Sequence, residues 1–81
     1  MLKVLFFAQV RELTGTDELT MPAHFADVAA LREALAAQSD RWDLALTSGK
    51  LLAAVNQTLV PMDHPLQAGD EVAFFPPVTG G

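Results

Sequence analysis

Only one stretch of this chain has both the length and the apolar spacing of a helix of about three turns, residues 28–38. Val28, Leu31 and Leu35 recur at spacings of three and four, which makes a single apolar stripe, and Asp27 precedes the stretch as an N-cap candidate. A helix with one stripe covers one face of a sheet. The sequence therefore predicts a sheet with one covered face and one face that stays partly open.

The other apolar runs are short and are bounded by turn residues, so they predict strands. We expect five of them, at residues 2–7, 18–21, 51–55, 58–60 and 71–75, with short helical turns at 8–13 and 41–46. Asn56-Gln57 is a tight-turn candidate between the third and fourth strands. The order ββαβββ predicts an α+β domain whose mixed sheet has its two most apolar strands, the first and the last, at the centre.

Alternation assigns the side chains of the first and last strands to two faces. Lys3 shares its face with Phe7, and Glu71 shares its face with Phe75, so the charges mark this as the face nearer to water. If the two strands are neighbours, Phe7 and Phe75 meet on the open face, and Leu59 joins them from the hairpin. An exposed apolar patch of this kind indicates a partner site. The alternative is that the assignment of side chains to the two sheet faces is shifted by one residue. Phe7, Leu59 and Phe75 would then belong to the core.

The last strand runs into an uncharged tail, residues 76–81. Pro76-Pro77 cannot donate to a sheet ladder and should leave the sheet as an extended segment, and six residues span roughly 20 Å when extended. Gly80 and Gly81 have no Cβ and pass through a narrow cleft, and the terminal carboxylate is unhindered but unreactive until it is activated. We expect residues 1–81 to be one domain with 76–81 as a flexible tail.

Composition excludes several kinds of function. The chain has 81 residues, no cysteine and a net charge of −5, which argues against a disulfide, a thiolate site, nucleic acid and anionic membranes. The first apolar run is too short to span a membrane and does not have the form of a signal peptide, so we expect a cytoplasmic protein. His24 and His64 have no second ligand at a metal-binding spacing, so we expect no metal site. There is no glycine-rich phosphate loop, so the chain should not bind ATP itself.

Three segments carry a resemblance to a known family: VLFFAQVREL at 4–13, LAAVNQ at 52–57 and GDEVAFFPPVTGG at 69–81. On these residues the chain resembles the small subunits of molybdopterin synthase, which are sulfur carriers of the ubiquitin-like β-grasp family. The resemblance covers essentially the whole chain and implies a β-grasp fold with one main helix packed on one face of the sheet.

The resemblance also implies a chemistry for the tail. An ATP-using enzyme related to ubiquitin-activating enzymes adenylates Gly81, a sulfur-donating enzyme converts it to a thiocarboxylate (1-thioglycine), and the tail then enters the large synthase subunit. There it delivers sulfur to cyclic pyranopterin monophosphate, forming the dithiolene of molybdopterin. The synthase is typically a heterotetramer in which catalysis lies in the large subunit. The residues expected at its interface are Phe7, Arg11, Leu59, Phe75, Pro76, Pro77, Val78 and Thr79.

Three other interpretations fit part of the pattern. A sulfur carrier for thiamine thiazole synthesis shares the fold and the Gly-Gly end. A protein modifier would join Gly81 to a lysine of a target protein. An interaction domain would carry a Gly-Gly end that has no chemistry.

Overall fold

The computed structural model describes residues 1–47 and 50–77. Within those residues the chain forms three helices and five strands. In chain order they are β1 (Leu2–Phe6), α1 (Ala8–Thr14), β2 (Glu18–Met21), α2 (Val28–Ala36), α3 (Asp40–Leu46), β3 (Leu52–Val55), β4 (Thr58–Val60) and β5 (Glu71–Phe75). None of the helices in the described ranges is long or apolar enough to cross a bilayer.

The strands form one mixed sheet in the order β2-β1-β5-β3-β4. Strands β1 and β5 are parallel, and the other neighbouring pairs are antiparallel. The prediction that the first and last strands lie together inside a mixed sheet is therefore confirmed. They occupy these positions because their apolar side chains can be buried there, whereas the edge strands β2 and β4 carry exposed residues.

The core lies between one face of the sheet and the helices. It takes Leu2, Val4 and Phe6 from β1 and Val72 and Phe74 from β5, all at most 1% exposed. The predicted stripe of α2 is buried against them, and α1 and α3 add further apolar side chains, namely Val10, Ala45 and Leu46. The Phe6 ring packs edge-on against Trp42 at 5.4 Å and stacks with Phe74 at 6.3 Å between ring centroids.

Local side chains define the ends of the helices. The Asp27 carboxylate accepts the backbone N–H of Ala30 at 2.9 Å, which confirms it as the N-cap of α2. The helix ends at Ala36, two residues before the predicted end, because Ser39 already caps α3 by accepting the N–H of Trp42. The two shorter helical segments thus form regular helices of seven residues each, and the cover over the core is broader than one main helix.

Strand β1 is one residue shorter than predicted because the chain turns sharply after Phe7. Ala8 has a φ of +53°, a left-handed conformation that L-residues with a Cβ seldom adopt. Its position lets α1 start immediately after the strand. A strained residue at the start of α1, two residues after a central strand, indicates that this corner of the molecule is held in place by its surroundings.

Candidate functional site

The tail starts from the middle of the sheet. Strand β5 has β1 on one side and β3 on the other, and the N–H of Phe7 donates to the carbonyl of Phe74 at 3.2 Å beyond the end of β1. Pro76 is half-buried and Pro77 is exposed, and the strand ends before them as predicted. Of the predicted site residues, Val78, Thr79, Gly80 and Gly81 lie outside the described residues. The structure describes the start of the tail, Pro76 and Pro77, and the surface around it.

The sheet face away from the helices becomes more apolar toward the tail, as the strand register shows. The row farthest from the tail pairs Thr20, Lys3 and Glu71. The middle row runs Glu18, Leu5, Ala73, Ala54 and Leu59 across all five strands. In the row next to the tail, Leu52 pairs with Phe75, and Phe7 follows β1 on the other side of β5. The polar residues therefore lie at the far end, and the apolar residues surround the start of the tail.

The exposure of these side chains shows on which face of the sheet each of them lies. Phe7 is 47% exposed, Leu59 is 64% exposed and Phe75 is half-buried, whereas Phe6 and Phe74 are buried in the core. The alternative that the two faces were misassigned by one residue is therefore wrong. We call Phe7, Leu59 and Phe75, with the apolar residues between them, the open-face patch.

The sequence interpretation missed the centre of this patch. Ala54 is only 9% exposed, yet it lies outside the helix-side core and faces Ala73 and Leu59 on the open face. In the register, Ala73 and Ala54 pair with each other between Leu5 and Leu59. Strand β3 consists entirely of apolar residues, so no charge marked which of its side chains face outward, and only the pairing with β5 assigns them.

Arg11 lies on α1 within one turn of the patch. The carbonyl of Phe7 accepts the backbone N–H groups of both Val10 and Arg11, at 3.2 and 3.4 Å, so the helix is attached directly to a patch residue. The Arg11 side chain is exposed and makes no ion pair with any residue in the described ranges. Its position beside the patch leaves the predicted contact of Arg11 with a partner as a prediction.

One ion pair borders the patch on the far side. The Lys3 ammonium lies 3.6 Å from the Glu18 carboxylate, and both side chains are about half-exposed. An exposed pair of this kind contributes little to stability because water and salt screen it. Its effect is to keep the edge of the open face polar beside β2.

We call Pro76, where the tail begins, the tail root. A groove lies on the side of the tail root opposite the open-face patch, between α1, α3 and the start of β3. It has a volume of about 610 Å³, and Pro76 forms part of its wall. The residues that line it are Gln9, Val10, Glu12, Leu13, Arg41, Leu44, Ala45, Leu51 and Pro76. The tail root is thus flanked by an apolar surface on each side, of which the sequence interpretation found only the open-face patch.

The two histidines are the side chains to consider for metal binding. Residues 1–47 and 50–77 contain no group of three potential ligands close enough to hold a metal ion. His24 lies against the Phe25 ring at 4.4 Å between centroids, and the His64 carbonyl accepts the N–H of Val28 in a turn. The His24 ring thus packs against an aromatic neighbour, and the backbone of His64 is part of a turn.

Comparison with known proteins agrees with this geometry. The model of the ThiS family matches residues 4–81. The chain is 74% identical to the molybdopterin synthase sulfur carrier subunit of Escherichia coli and 58% identical to that of Haemophilus influenzae, in each case over the full length of both chains. Among solved structures, the complex of subunits 1 and 2 of molybdopterin-converting factor from Helicobacter pylori contains a similar chain. That chain is 26% identical, with a TM-score of 0.69 and coverage of 99% of this chain and 97% of the other.

Proposed function

The chain belongs to the ThiS family, and from this membership we propose that it is the sulfur carrier subunit of a molybdopterin synthase. One structural observation supports the proposal most directly: the central strand β5 ends at Pro76, between an exposed apolar patch and a mostly apolar groove. A partner can therefore hold the domain by its surface while the tail reaches a separate site. The relatives that share the full length of the chain carry the same function in their names.

In this proposal the reactive group is the main-chain carboxylate of Gly81. An activating enzyme uses ATP to form an acyl-adenylate at Gly81 and releases pyrophosphate. Sulfur at the oxidation level of sulfide, supplied by a donor enzyme, then displaces AMP from the carbonyl carbon, which leaves a thiocarboxylate. The sulfur of this thiocarboxylate attacks a carbon of cyclic pyranopterin monophosphate in the large subunit, and an oxygen substituent leaves that carbon. Water then hydrolyses the acyl–sulfur bond, which keeps the sulfur on the substrate and restores the Gly81 carboxylate, and two such transfers form the dithiolene.

The side chains of this protein then have positioning roles. Phe7, Leu59 and Phe75 provide the docking surface, with Arg11 beside it. Pro76 and Pro77 restrict the conformations of the tail before binding, which lowers the entropy lost when it enters a cleft. Because residues 72–81 carry no charged side chain, little free energy is needed to remove water from the tail.

We propose the large synthase subunit and the activating enzyme as successive partners that use overlapping surfaces. The similarity to a chain that was solved in complex with a second subunit supports the first of these partners. A heterotetramer with two carriers and two large subunits, located in the cytosol, completes the proposal.

A one-residue change at the end of the chain tests the chemistry. Adding one residue after Gly81, or deleting Gly81, should abolish sulfur transfer while the domain stays folded, because the core lies entirely within residues 2–74. The measurement is intact mass after incubation with ATP, the activating enzyme and a sulfur source. The wild-type chain should gain the mass difference between sulfur and oxygen at its terminal glycine. Sulfur transfer by the extended chain would disprove the carrier function.

The same samples distinguish the alternatives. A thiamine-type carrier would gain the sulfur but would not pass it to cyclic pyranopterin monophosphate in the presence of the large subunit. A protein modifier would appear as conjugates between Gly81 and lysine side chains. An inert interaction domain would show no mass change, and the extended chain would bind partners as the wild type does.

A further inference from the structure

The exposed leucine on α3 is not explained by the open-face patch. Leu44 is 65% exposed, although its neighbours Ala45 and Leu46 are buried in the core. It lies on the helix side of the sheet, whereas Phe7 and Leu59 lie on the open side. A single exposed leucine is common in proteins, so it needs an explanation only if it belongs to a larger apolar surface.

Leu44 does belong to such a surface, because it stands at the rim of the groove beside the tail root. Val10, Ala45 and Leu51 form a buried floor, and Pro76 is half-buried in the wall. An apolar floor with an open top fits a side chain inserted by another protein. A small ligand would instead need walls that bury most of its surface.

The charges at the rim of the groove favour one orientation of a bound segment over the reverse. Arg41 is on α3 and Glu12 is on α1, so the two charges lie on different walls. Within the described part of the chain neither side chain has an ion-pair partner. An incoming segment with an acidic residue toward α3 and a basic residue toward α1 would pair with both charges, and the reverse orientation would bring like charges together.

We propose that this tail-root groove is a second docking surface for the large synthase subunit. It receives an apolar side chain from the rim of the cleft that takes in the tail, with an acidic group of the subunit beside Arg41. This proposal rests on the carrier function proposed above.

Continuity with the tail favours this occupant. Pro76 lines the groove and also begins the tail, so a subunit that encloses the tail from its root must contact both the open-face patch and the groove. The surface area that a stable complex buries also favours the large subunit as the occupant. A stable complex buries roughly 800 Å² on each partner, which is about a sixth of the 4837 Å² surface of this chain. The open-face patch together with the groove provides a larger contact surface than the patch alone.

The affinity for the large subunit tests the proposal. Leu44→Glu and Arg41→Glu should each weaken binding by about tenfold, because each places a negative charge beside the inserted apolar side chain and the acidic group of the subunit. Gln38→Glu and Arg32→Glu make matched changes of charge at positions that do not line the groove, and they should bind within about twofold of the wild type. Wild-type affinity for Leu44→Glu, with the variant shown to be folded by circular dichroism, would overturn the proposal.

A crosslinking experiment gives an independent readout. The chain has no cysteine, so Leu44→Cys provides a unique attachment point for a photoreactive maleimide, with Gln38→Cys as its control. Crosslinks to the large subunit from position 44 and none from position 38 would support the groove contact. Crosslinks only within the chain, to a second copy, or only to the activating enzyme would assign the groove to another occupant and overturn the proposal.

Thiocarboxylate formation on the wild-type chain separates the two levels of failure. If the wild type is loaded and transfers sulfur while Leu44→Glu binds normally, the groove proposal fails and the carrier function stands. If the wild type is never loaded, the carrier function fails, and the groove proposal fails with it.

Discussion

Phe74 and Phe75 are neighbours of the same chemistry in opposite surroundings. Phe74 has no exposed surface and stacks against Phe6 in the core. Phe75 is half-buried on the open face, where it pairs in register with Leu52 beside the tail root. Consecutive residues in a strand point to opposite faces, so one position decides whether an aromatic ring stabilises the domain or is available to a partner.

This difference predicts opposite results for the same substitution. Phe75→Asp and Leu59→Asp should leave the domain folded and weaken binding to the large subunit by roughly ten- to a hundredfold, because they place a charge in an apolar contact. Phe74→Asp should unfold the domain, because an unpaired carboxylate would have to be buried in the core. Circular dichroism and titration calorimetry on the three variants check this. An unfolded Leu59→Asp variant, or normal binding by Phe75→Asp, would contradict the assignment of the open face.

At the scale of single residues, the sequence predicts most of the open-face patch, because charged residues mark the outer faces of two of its strands. Lys3 and Glu71 marked the outer faces of β1 and β5, and the exposure of Phe7 and the burial of Phe6 agree with them. Strand β3 has no such marker. Leu52 and Ala54 could be assigned to the open face only after the pairing of β3 with β5 was known, and that pairing joins residues far apart in the chain.

The β3–β4 hairpin is the element that holds Leu59 in the open-face patch. Its turn residues Asn56 and Gln57 both have a positive φ, at 51° and 69°, as a tight hairpin turn requires. Asn56 also ties the hairpin to the start of β5. Its side-chain amide donates to the Asp70 carboxylate at 3.0 Å, and its side-chain oxygen accepts the N–H of Glu71 at 3.1 Å.

Asn56→Ala should therefore destabilise the domain by about 2 kcal/mol, since alanine is disfavoured at positive φ and the two hydrogen bonds are lost. For a domain of this size, that corresponds to a fall in melting temperature of roughly 8–16 °C. Asn56→Gly is the matched control: it removes the same hydrogen bonds but tolerates the backbone conformation, so its effect should be smaller. Thermal unfolding measures both variants, and equal losses would mean that the backbone conformation contributes nothing.

Elements were easier to predict than their mutual arrangement. The cap at Asp27 and the 3–4 spacing predicted α2, and alternation with turn residues predicted the strands to within one residue. The groove depends on α1 lying beside α3, with the start of β3 near both, and no local pattern in the sequence encodes that contact. This explains why Leu44 and Arg41 were not among the predicted site residues.

Over the whole molecule, the folded part and the proposed reactive end are separate. The core runs from Leu2 to Phe74, and the open-face patch and the groove, the two proposed docking surfaces, lie on either side of the tail root. A carrier built in this way can present the same domain to an activating enzyme and to a synthase subunit. In the proposed function each partner supplies its own catalytic groups, and this chain supplies the surface and the terminal carboxylate.

Truncation after Pro77 should therefore remove function without removing the fold. We expect the free energy of unfolding to change by less than about 0.5 kcal/mol, the usual range for changes away from the core, while sulfur loading is lost completely. The control is deletion of residues 1–4, which is also four residues long but removes Leu2 and Val4 from the centre of the core and should prevent folding. Urea unfolding and the loading assay measure the two effects. Because the open-face patch and the groove remain, the truncated chain should still bind the large subunit, although more weakly, and should compete with the wild type for it. Complete loss of binding would mean that the tail provides nearly all of the affinity and that the surfaces at its root contribute little.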